Sequence, residues 1–265
     1  MKAINYIIFS AFLAIVSCQK VIDVEVDEAD ENIVIDAAYD AIAEEVVVNL
    51  KRSAALFSNE GFEKIENATI EVETASGDVI NIPHEGNGIY KYAGLQPEYN
   101  SNYIMRVSFD SENFEATAFL PEIVELDSLT QQFEEASIFG DEGYIVFMNL
   151  TDPGGERFYR AIRIVNGEKL ERLNEQFLFD NEFTQGNFQR VPFFGSRYEP
   201  DDTITVQLRS YSEVASKYYS DLFALAGDNG QSAAPANPRT NWNNDALGVF
   251  NTYGYSEKTI IIEED

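Results

Sequence analysis

The first half of the chain is a series of short segments in which apolar and polar residues alternate. In residues 68–74, Ile70 and Val72 alternate with polar neighbours, and the polar turn 76–78 leads into the next apolar positions. A period of two is typical of half-buried strands, and a polar turn that contains glycine is typical of a hairpin. About seven such strands fall within residues 32–121, which predicts a β-sandwich of immunoglobulin-like type.

The second half continues in strands and adds one helix. Pro121 and the acidic residues after it mark a boundary, so residues 122–265 are interpreted as a second antiparallel β domain. Ser212 can cap an amphipathic helix near 211–226. Strands are predicted at five segments, namely 144–150, 158–165, 203–209, 246–252 and 258–262. The fold class is therefore mainly β, with a single helix in the C-terminal domain.

In three stretches of the second half, apolar and polar residues follow no clear period. Residues 177–181 and 188–194 are rich in aromatic side chains and are interpreted as irregular. Residues 228–244 are rich in Gly, Ala, Pro and Asn, which predicts a long loop. A loop of this length within a folded domain is usually functional or mobile.

The N-terminus has the pattern of a secretory signal. Lys2 precedes an apolar stretch, 7–16, of about ten residues, which is too short to span a bilayer. The sequence Ile15-Val16-Ser17-Cys18 follows and resembles the bacterial lipobox, in which the cysteine carries a diacylglyceryl group. A buried helix with an incidental cysteine is the alternative, but Cys18 is the only cysteine of the chain. We predict a signal peptide over 1–17 and lipidation of Cys18.

Composition narrows the classes of partner. The chain has 46 acidic and 18 basic residues and a formal net charge of −28. Such a charge repels nucleic acid and anionic lipid surfaces, because phosphate contacts need clustered lysine and arginine. The segment 18–31, which is rich in acidic residues, is interpreted as a tether between the lipid and the folded domains. A single cysteine excludes a disulfide framework, so stability depends on a packed core.

Residues for catalysis are scarce. His84 is the only histidine and lies in a predicted turn, and no Gly-x-Ser-x-Gly elbow is present for a serine nucleophile. We therefore predict no metal, no cofactor and no enzymatic activity. Paired carboxylates at glycosidase spacing are the least favoured alternative, because 46 acidic residues supply many such pairs by chance.

The predicted long loop contains the only tryptophan, in the sequence Asn241-Trp242-Asn243-Asn244. An exposed indole between amides suits stacking on a sugar or docking on a partner. Trp242, Asn241 and Asn243 are therefore the candidate ligand or partner contacts. In the alternative interpretation, Trp242 folds back onto its own domain and fixes the loop.

Several motifs of the chain resemble those of one family. They are the turn and strand 152–160, the closing segments 234–238, 246–250 and 256–260, and the lipobox exit 18–23. Together they resemble the Bacteroidota lipoproteins catalogued as domain of unknown function 4249. The resemblance implies an envelope lipoprotein, often encoded beside TonB-dependent outer-membrane transporters and without established activity. It implies no catalytic residue.

These observations predict a lipid-anchored, non-catalytic accessory or binding component that associates with a TonB-dependent outer-membrane transporter. A stand-alone carbohydrate- or peptide-binding lipoprotein is the alternative. We predict that the mature protein lies on the cell-surface side of the outer membrane. Surface-exported lipoproteins of this phylum often carry acidic residues directly after the cysteine, whereas the first one here is Asp23, so the periplasmic side stays open. Ser128 and Thr203 each follow an aspartate in triplets that resemble the O-glycosylation acceptor of the same phylum.

Overall fold

The computed structural model describes residues 32–53, 62–136, 141–170, 172, 175, 177–193, 195–226 and 237–264. The predicted signal peptide, Cys18 and the tether 18–31 lie outside these residues. In the part of the chain that is described, no helix is both long and apolar enough to cross a membrane.

The elements of the first half are all strands. They are β1 (Ile33–Asp40), β2 (Glu45–Arg52), β3 (Thr69–Glu73), β4 (Val79–Asn81), β5 (His84–Gly86), β6 (Ile89–Ala93), β7 (Ser101–Phe109) and β8 (Glu112–Leu120).

The second half adds strands and a helix. Its elements are β9 (Leu126–Glu134), β10 (Gly143–Thr151), β11 (Phe158–Val165), β12 (Glu168–Lys169), β13 (Phe177–Asp180), β14 (Phe188–Pro192), β15 (Thr203–Tyr211), helix α1 (Glu213–Ala226) and β16 (Phe250–Ile261).

These strands form three sheets. A nine-stranded sheet has the order β12-β11-β15-β16-β1-β2-β6-β5, with β13 also paired to β11. A four-stranded sheet has the order β4-β3-β7-β8, and a three-stranded sheet has the order β14-β10-β9. Most pairs are antiparallel, but β1 and β16 run parallel. The predicted fold class, mainly β with sandwich packing and one helix, is confirmed for the described residues.

The two smaller sheets pack on the same face of the large sheet. Phe250 of β16 lies in the first core, between the large and the four-stranded sheets. Ser256, also an even residue of β16, hydrogen-bonds through Oγ to the backbone of Val124 and Leu126, beside the three-stranded sheet. Alternate residues of a strand share a face, so both smaller sheets lie on one side. Helix α1 packs on the opposite face, where Ala215 contacts a cluster with Tyr253.

Strand β16 belongs to both halves of the chain. Its residues 250–253 pair with β1, and its residues 254–261 pair with β15. The two separate strands expected at 246–252 and 258–262 are thus one strand of 12 residues. In the sequence, Gly254 suggests that the strand is interrupted, but β16 continues through it. The glycine is needed for another reason, because a Cβ at this position would lie 2.7 Å from Cγ1 of Ile123. The glycine permits close packing of the β8–β9 connection.

The interpretation of the aromatic segments as irregular is wrong, because strands β13 and β14 lie within them. Strand β9 is likewise absent from the expected elements. Each of the three strands has a single partner, β13 on β11 and β14 and β9 on β10. Edge strands carry many exposed side chains, so their sequences do not alternate clearly. In β9, most residues after Leu126 are exposed or half-buried.

Candidate functional site

The structure places the predicted contact residue Trp242 inside the protein. Its side chain is only 5% exposed and belongs to the first core, beside Phe250. Its indole Nε1 donates a hydrogen bond to the carbonyl oxygen of Ile35 in β1, at 3.0 Å. This arrangement corresponds to the alternative interpretation, in which Trp242 fixes the loop to its own domain.

The asparagines beside Trp242 complete the edge of β8. The Asn243 backbone NH donates to the Glu115 carbonyl, and Asn243 Oδ1 accepts from the Glu115 NH at 2.8 Å. The Nδ2 atoms of Asn241 and Asn244 donate to backbone carbonyls of the same strand. The amides thus reach three alternate residues of β8, namely Asn113, Glu115 and Thr117. They act as a substitute strand that covers a free sheet edge.

The segment is also fixed at both ends. On one side, the Arg239 guanidinium forms two hydrogen bonds to the Asp221 carboxylate of α1, both at 2.8 Å. On the other side, the Leu247 backbone NH donates to the Ile33 carbonyl and its carbonyl accepts from the Ile35 NH. Residues 239–247 therefore connect α1, the four-stranded sheet and β1.

We expect the tryptophan fluorescence of the native protein, excited where tyrosine does not absorb so that it reports on Trp242 alone, to be shielded from quenchers in the solvent. Acrylamide should quench it several-fold less efficiently than it quenches the same chain in denaturant, because the indole is buried. Titration with mono- and oligosaccharides should leave the native emission unchanged. Equal quenching in the native and denatured states would contradict the buried position of Trp242. Trp242 would then again be a candidate for contact with a ligand or partner.

The two predicted O-glycosylation sites lie on strands of the described chain, where Ser128 is exposed and Thr203 is half-buried. Ser128 is exposed on β9, and its Oγ accepts a hydrogen bond from Asn149 Nδ2 at 3.2 Å. Thr203 begins β15, where its backbone NH donates to Asn166 Oδ1. Their modification stays a prediction. His84 is exposed on β5 and packs on the Tyr90 ring.

A buried carboxylate organises the turn after β10. Asp152 is 2% exposed, and its oxygens accept hydrogen bonds from the Tyr159 hydroxyl at 2.6 Å and from Asn181 Nδ2 at 2.9 Å. The backbone NH groups of Gly154 and Gly186 also donate to it. Burial alone raises the pKa of Asp152, but these bonds outweigh it and hold the pKa below its ordinary value. The carboxylate is a structural centre with its bonding capacity filled.

Asn181 extends this centre to the start of β11. Its Oδ1 accepts from the Arg157 backbone NH at 2.9 Å, and its Nδ2 also donates to the Gly155 carbonyl. The backbone at Arg157 is thereby positioned by the same hydrogen-bond network that satisfies the carboxylate of Asp152. We name Asp152, Asn181, Tyr159 and the glycines bonded to them the Asp152 network.

A cleft opens beside Arg157, where the end of β8 meets the start of α1. Its volume is about 450 Å³. Its wall includes Phe119 and Val214, whose side chains are 40% and 44% exposed. The complete lining is Asn102, Thr117, Phe119, Pro121, Glu156, Arg157, Phe158, Tyr211, Ser212, Glu213 and Val214.

The chemistry of the cleft suits binding. The exposed surface of its wall is mainly apolar, through side chains such as Phe119, Phe158 and Val214, and polar and charged side chains border it, as in small-ligand sites at the junction of two parts of a protein. Ser212 Oγ accepts from the Ala215 NH and fixes the first turn of α1, so the wall that carries Val214 is preformed. Its ionisable side chains are Glu156, Arg157, Glu213 and Tyr211, without a histidine, cysteine or lysine. Among the described residues, no group of three or more His, Cys, Asp or Glu could hold a metal ion.

Sequence reasoning missed the cleft, although one signal was present. The outward-facing residues of β8 are polar at Glu115 and Thr117, but the next one, Phe119, is apolar and exposed. An apolar side chain on an otherwise polar face indicates a contact with something other than the core. The position of α1 against this strand, however, depends on residues distant in sequence.

Comparisons with known proteins identify a family and little else. A search of curated proteins finds no match. Among solved structures, the selenomethionine-substituted chicken interferon gamma receptor alpha chain aligns over 88% of this chain and 98% of its own, at 8% identity and a TM-score of 0.23. A score that low supports no argument. A family model described as "Domain of unknown function (DUF4249)" matches residues 19–259. The chain therefore belongs to the DUF4249 family.

Proposed function

We propose that this protein is a lipid-anchored component of the cell envelope that binds a ligand without transforming it, as an accessory of a TonB-dependent outer-membrane transporter. The lipobox-like sequence before Cys18 supports the anchor. The resemblance of the chain to envelope lipoproteins encoded beside such transporters supports the partner.

The observation that carries the binding role is the preformed cleft between β8 and α1. Its exposed apolar side chains, Phe119 and Val214, leave the solvent when a ligand enters, which favours binding by about 25 cal/mol for each Å² of apolar surface removed from water. Asn102, Thr117 and Ser212 at its wall can orient a ligand through hydrogen bonds. A peptide or an amphiphilic solute fits this combination.

A stand-alone binding protein is the second candidate, and the ring of Phe119 favours it. An exposed aromatic ring in a cleft with neighbouring amide and hydroxyl groups can stack on a sugar or on a peptide side chain. This candidate places the ligand at the same cleft. It differs from the first in needing no transporter.

The test is purification of the full lipidated chain, in mild detergent, from outer membranes of the organism that produces it. We expect a TonB-dependent β-barrel to co-purify and small molecules to be extracted from the complex, both identified by mass spectrometry. Replacement of Cys18 by serine should release the protein from the membrane fraction, because the acyl chains that hold it are lost.

Val214→Asp tests the cleft. The position is in the first turn of α1, where an acidic side chain suits the helix dipole, so the fold should tolerate the change while a charge enters the apolar wall. Val79→Asp is the matched control, because Val79 is 55% exposed on β4 and does not line the cleft. We expect the small molecules to be lost from Val214→Asp and retained by Val79→Asp.

The outcomes separate the two candidates. A clean monomer that retains a ligand in the wild type and loses it in Val214→Asp would favour the stand-alone binder. A clean monomer without any bound molecule would oppose both.

A further inference from the structure

A short loop between β13 and β14 displays a phenylalanine almost completely to solvent. The loop covers residues 181–187, and the side chain of Phe183 near its middle is 90% exposed. We infer that this loop, here called the Phe183 loop, is a docking element for a protein that offers an apolar pocket with a basic rim. The inference concerns a surface separate from the cleft, and it does not depend on the identity of the cleft ligand.

The Phe183 loop is held by hydrogen bonds along its length. The Thr184 backbone NH donates to the Asn181 carbonyl, and the Asn187 NH donates to the Thr184 carbonyl. The Gly186 NH donates to Asp152 Oδ1, and the Asp152 NH donates to the Asn187 carbonyl. The buried Asp152 network thus anchors both ends of the loop. Because the loop backbone is already ordered and phenylalanine has only two side-chain torsions, little conformational entropy is lost on binding, which is the property of an interface anchor.

The Phe183 side chain is not required by any of these bonds. The bonds that hold the loop use backbone atoms and the side chains of Asp152, Asn181, Asp180 and Asn187, and a polar residue at position 183 would leave them intact. Single exposed apolar residues are common on proteins. Here, however, a second one, Phe188, follows the loop with its side chain 61% exposed. Two phenylalanines on one rigid surface segment indicate a surface that becomes covered.

The charges around Phe183 select the partner. Asp180 and Glu182 are exposed next to it in sequence, and no lysine or arginine occurs between Phe177 and Gln189. The Arg157 guanidinium, which also lies in this region, is held by a hydrogen bond from its Nε to the Gly154 carbonyl. A basic rim on the partner would complement these carboxylates and steer the encounter.

Other occupants are disfavoured by the same charges. A second copy of the chain, which also carries a net charge of −28, would be repelled. An anionic lipid surface would be repelled for the same reason, although a zwitterionic one would accept a phenylalanine. A basic-rimmed protein pocket is the occupant that satisfies both the aromatic ring and its acidic neighbours.

The experiment begins with photo-crosslinking in native outer membranes. Phe183 in the full lipidated chain is replaced by photoreactive benzoyl-phenylalanine, and the same replacement at Val79 is the control. We expect position 183, but not position 79, to form one protein adduct, which mass spectrometry then identifies. An adduct with lipid alone, or no adduct above the control, overturns the inference.

The identified protein is then purified and its affinity measured. Phe183→Ala should weaken binding by about tenfold or more, as expected for loss of an interface anchor. Phe133→Ala, which removes another exposed aromatic ring on β9, should leave binding unchanged. Raising the salt concentration should weaken wild-type binding, because it screens the acidic flank.

Equal binding by the wild type and Phe183→Ala would overturn the inference even if an adduct forms. If the adduct is a protein other than a TonB-dependent transporter, the docking surface stands, and the transporter association proposed above is decided by the co-purification alone. The two proposals can therefore fail separately.

Discussion

Gly248→Ala is expected to be among the most destabilising single substitutions in this protein, with a loss of unfolding free energy of at least about 4 kcal/mol. The backbone of Gly248 has a φ of +95°, and an added Cβ would lie 2.3 Å from the carbonyl oxygen and 2.7 Å from the carbonyl carbon of Ile35. Ile35 is fully buried in β1, so its backbone cannot move without disturbing the first core. Urea or thermal unfolding of the purified protein measures the effect.

Gly77→Ala is the matched control for this substitution. Gly77 also has a positive φ, +90°, but an added Cβ would meet no atom within 4 Å. The control therefore carries the backbone strain of a left-handed residue without the collision, and we expect it to cost about 1–3 kcal/mol. A similar loss in the two variants would show that strain, and not contact with β1, makes the glycine necessary.

Asp152→Ala is expected to cost about 3–5 kcal/mol, because it leaves several donors unsatisfied at once. The Tyr159 hydroxyl would lose its acceptor inside the core between the large and the three-stranded sheets. Burial together with the bond to Asp152 raises the pKa of this tyrosine, so it stays a donor. The Gly154 and Gly186 NH groups would lose the same partner. The Phe183 loop should loosen, which amide hydrogen exchange at residues 181–187 can measure.

The same carboxylate contributes to the pH dependence of stability. Its pKa in the folded protein lies below the ordinary value of about 3.9. Its stabilisation is therefore complete above about pH 4 and is lost as the pH falls through the lower folded pKa. Asp152→Asn should be less stable than the wild type at neutral pH, and the difference should shrink in acid.

Asp127→Asn is the matched control for the loss of a carboxylate at neutral pH. Asp127 is exposed on β9, where one oxygen accepts a hydrogen bond from Thr151 Oγ1. Its replacement should cost little unfolding free energy at neutral pH, because the side chain is exposed. If Asp152→Asn follows the wild-type profile in acid, the buried carboxylate does not titrate as the geometry implies.

The strands that sequence patterns predicted are those whose two faces have different surroundings. In β7 and β8, buried and exposed residues alternate over most of their length, because one face covers the first core. By contrast, β10 is buried at all but its last residue, and β9 is exposed or half-buried after its first, so neither alternates. Strand β10 was still recognised from its length and apolar content, whereas β9 had no signal of its own.

The site residues were harder to predict, because their partners are distant along the chain. The glycines after Asp152 indicate a turn, but nothing local indicates that its carboxylate bonds to Asn181, 29 residues later. Likewise, the amides beside Trp242 looked suited to a ligand, and their partners on β8 lie more than a hundred residues away. Polar residues that satisfy a distant backbone cannot be distinguished in sequence from polar residues that await a ligand.

The late position of β16 in the chain has a consequence for the order in which the chain can fold as it emerges from export, N-terminus first. Until residues 250–261 have emerged, β1 and β15 each lack a neighbour and present open backbone edges. Strand pairing over so long a sequence separation is slow, because the entropy of closing the intervening chain is lost before any contact forms. The emerging chain therefore passes through a period in which two exposed strands can pair wrongly. A chaperone that holds the unfolded chain until its last strand arrives should raise the yield of native protein more than one that acts afterwards.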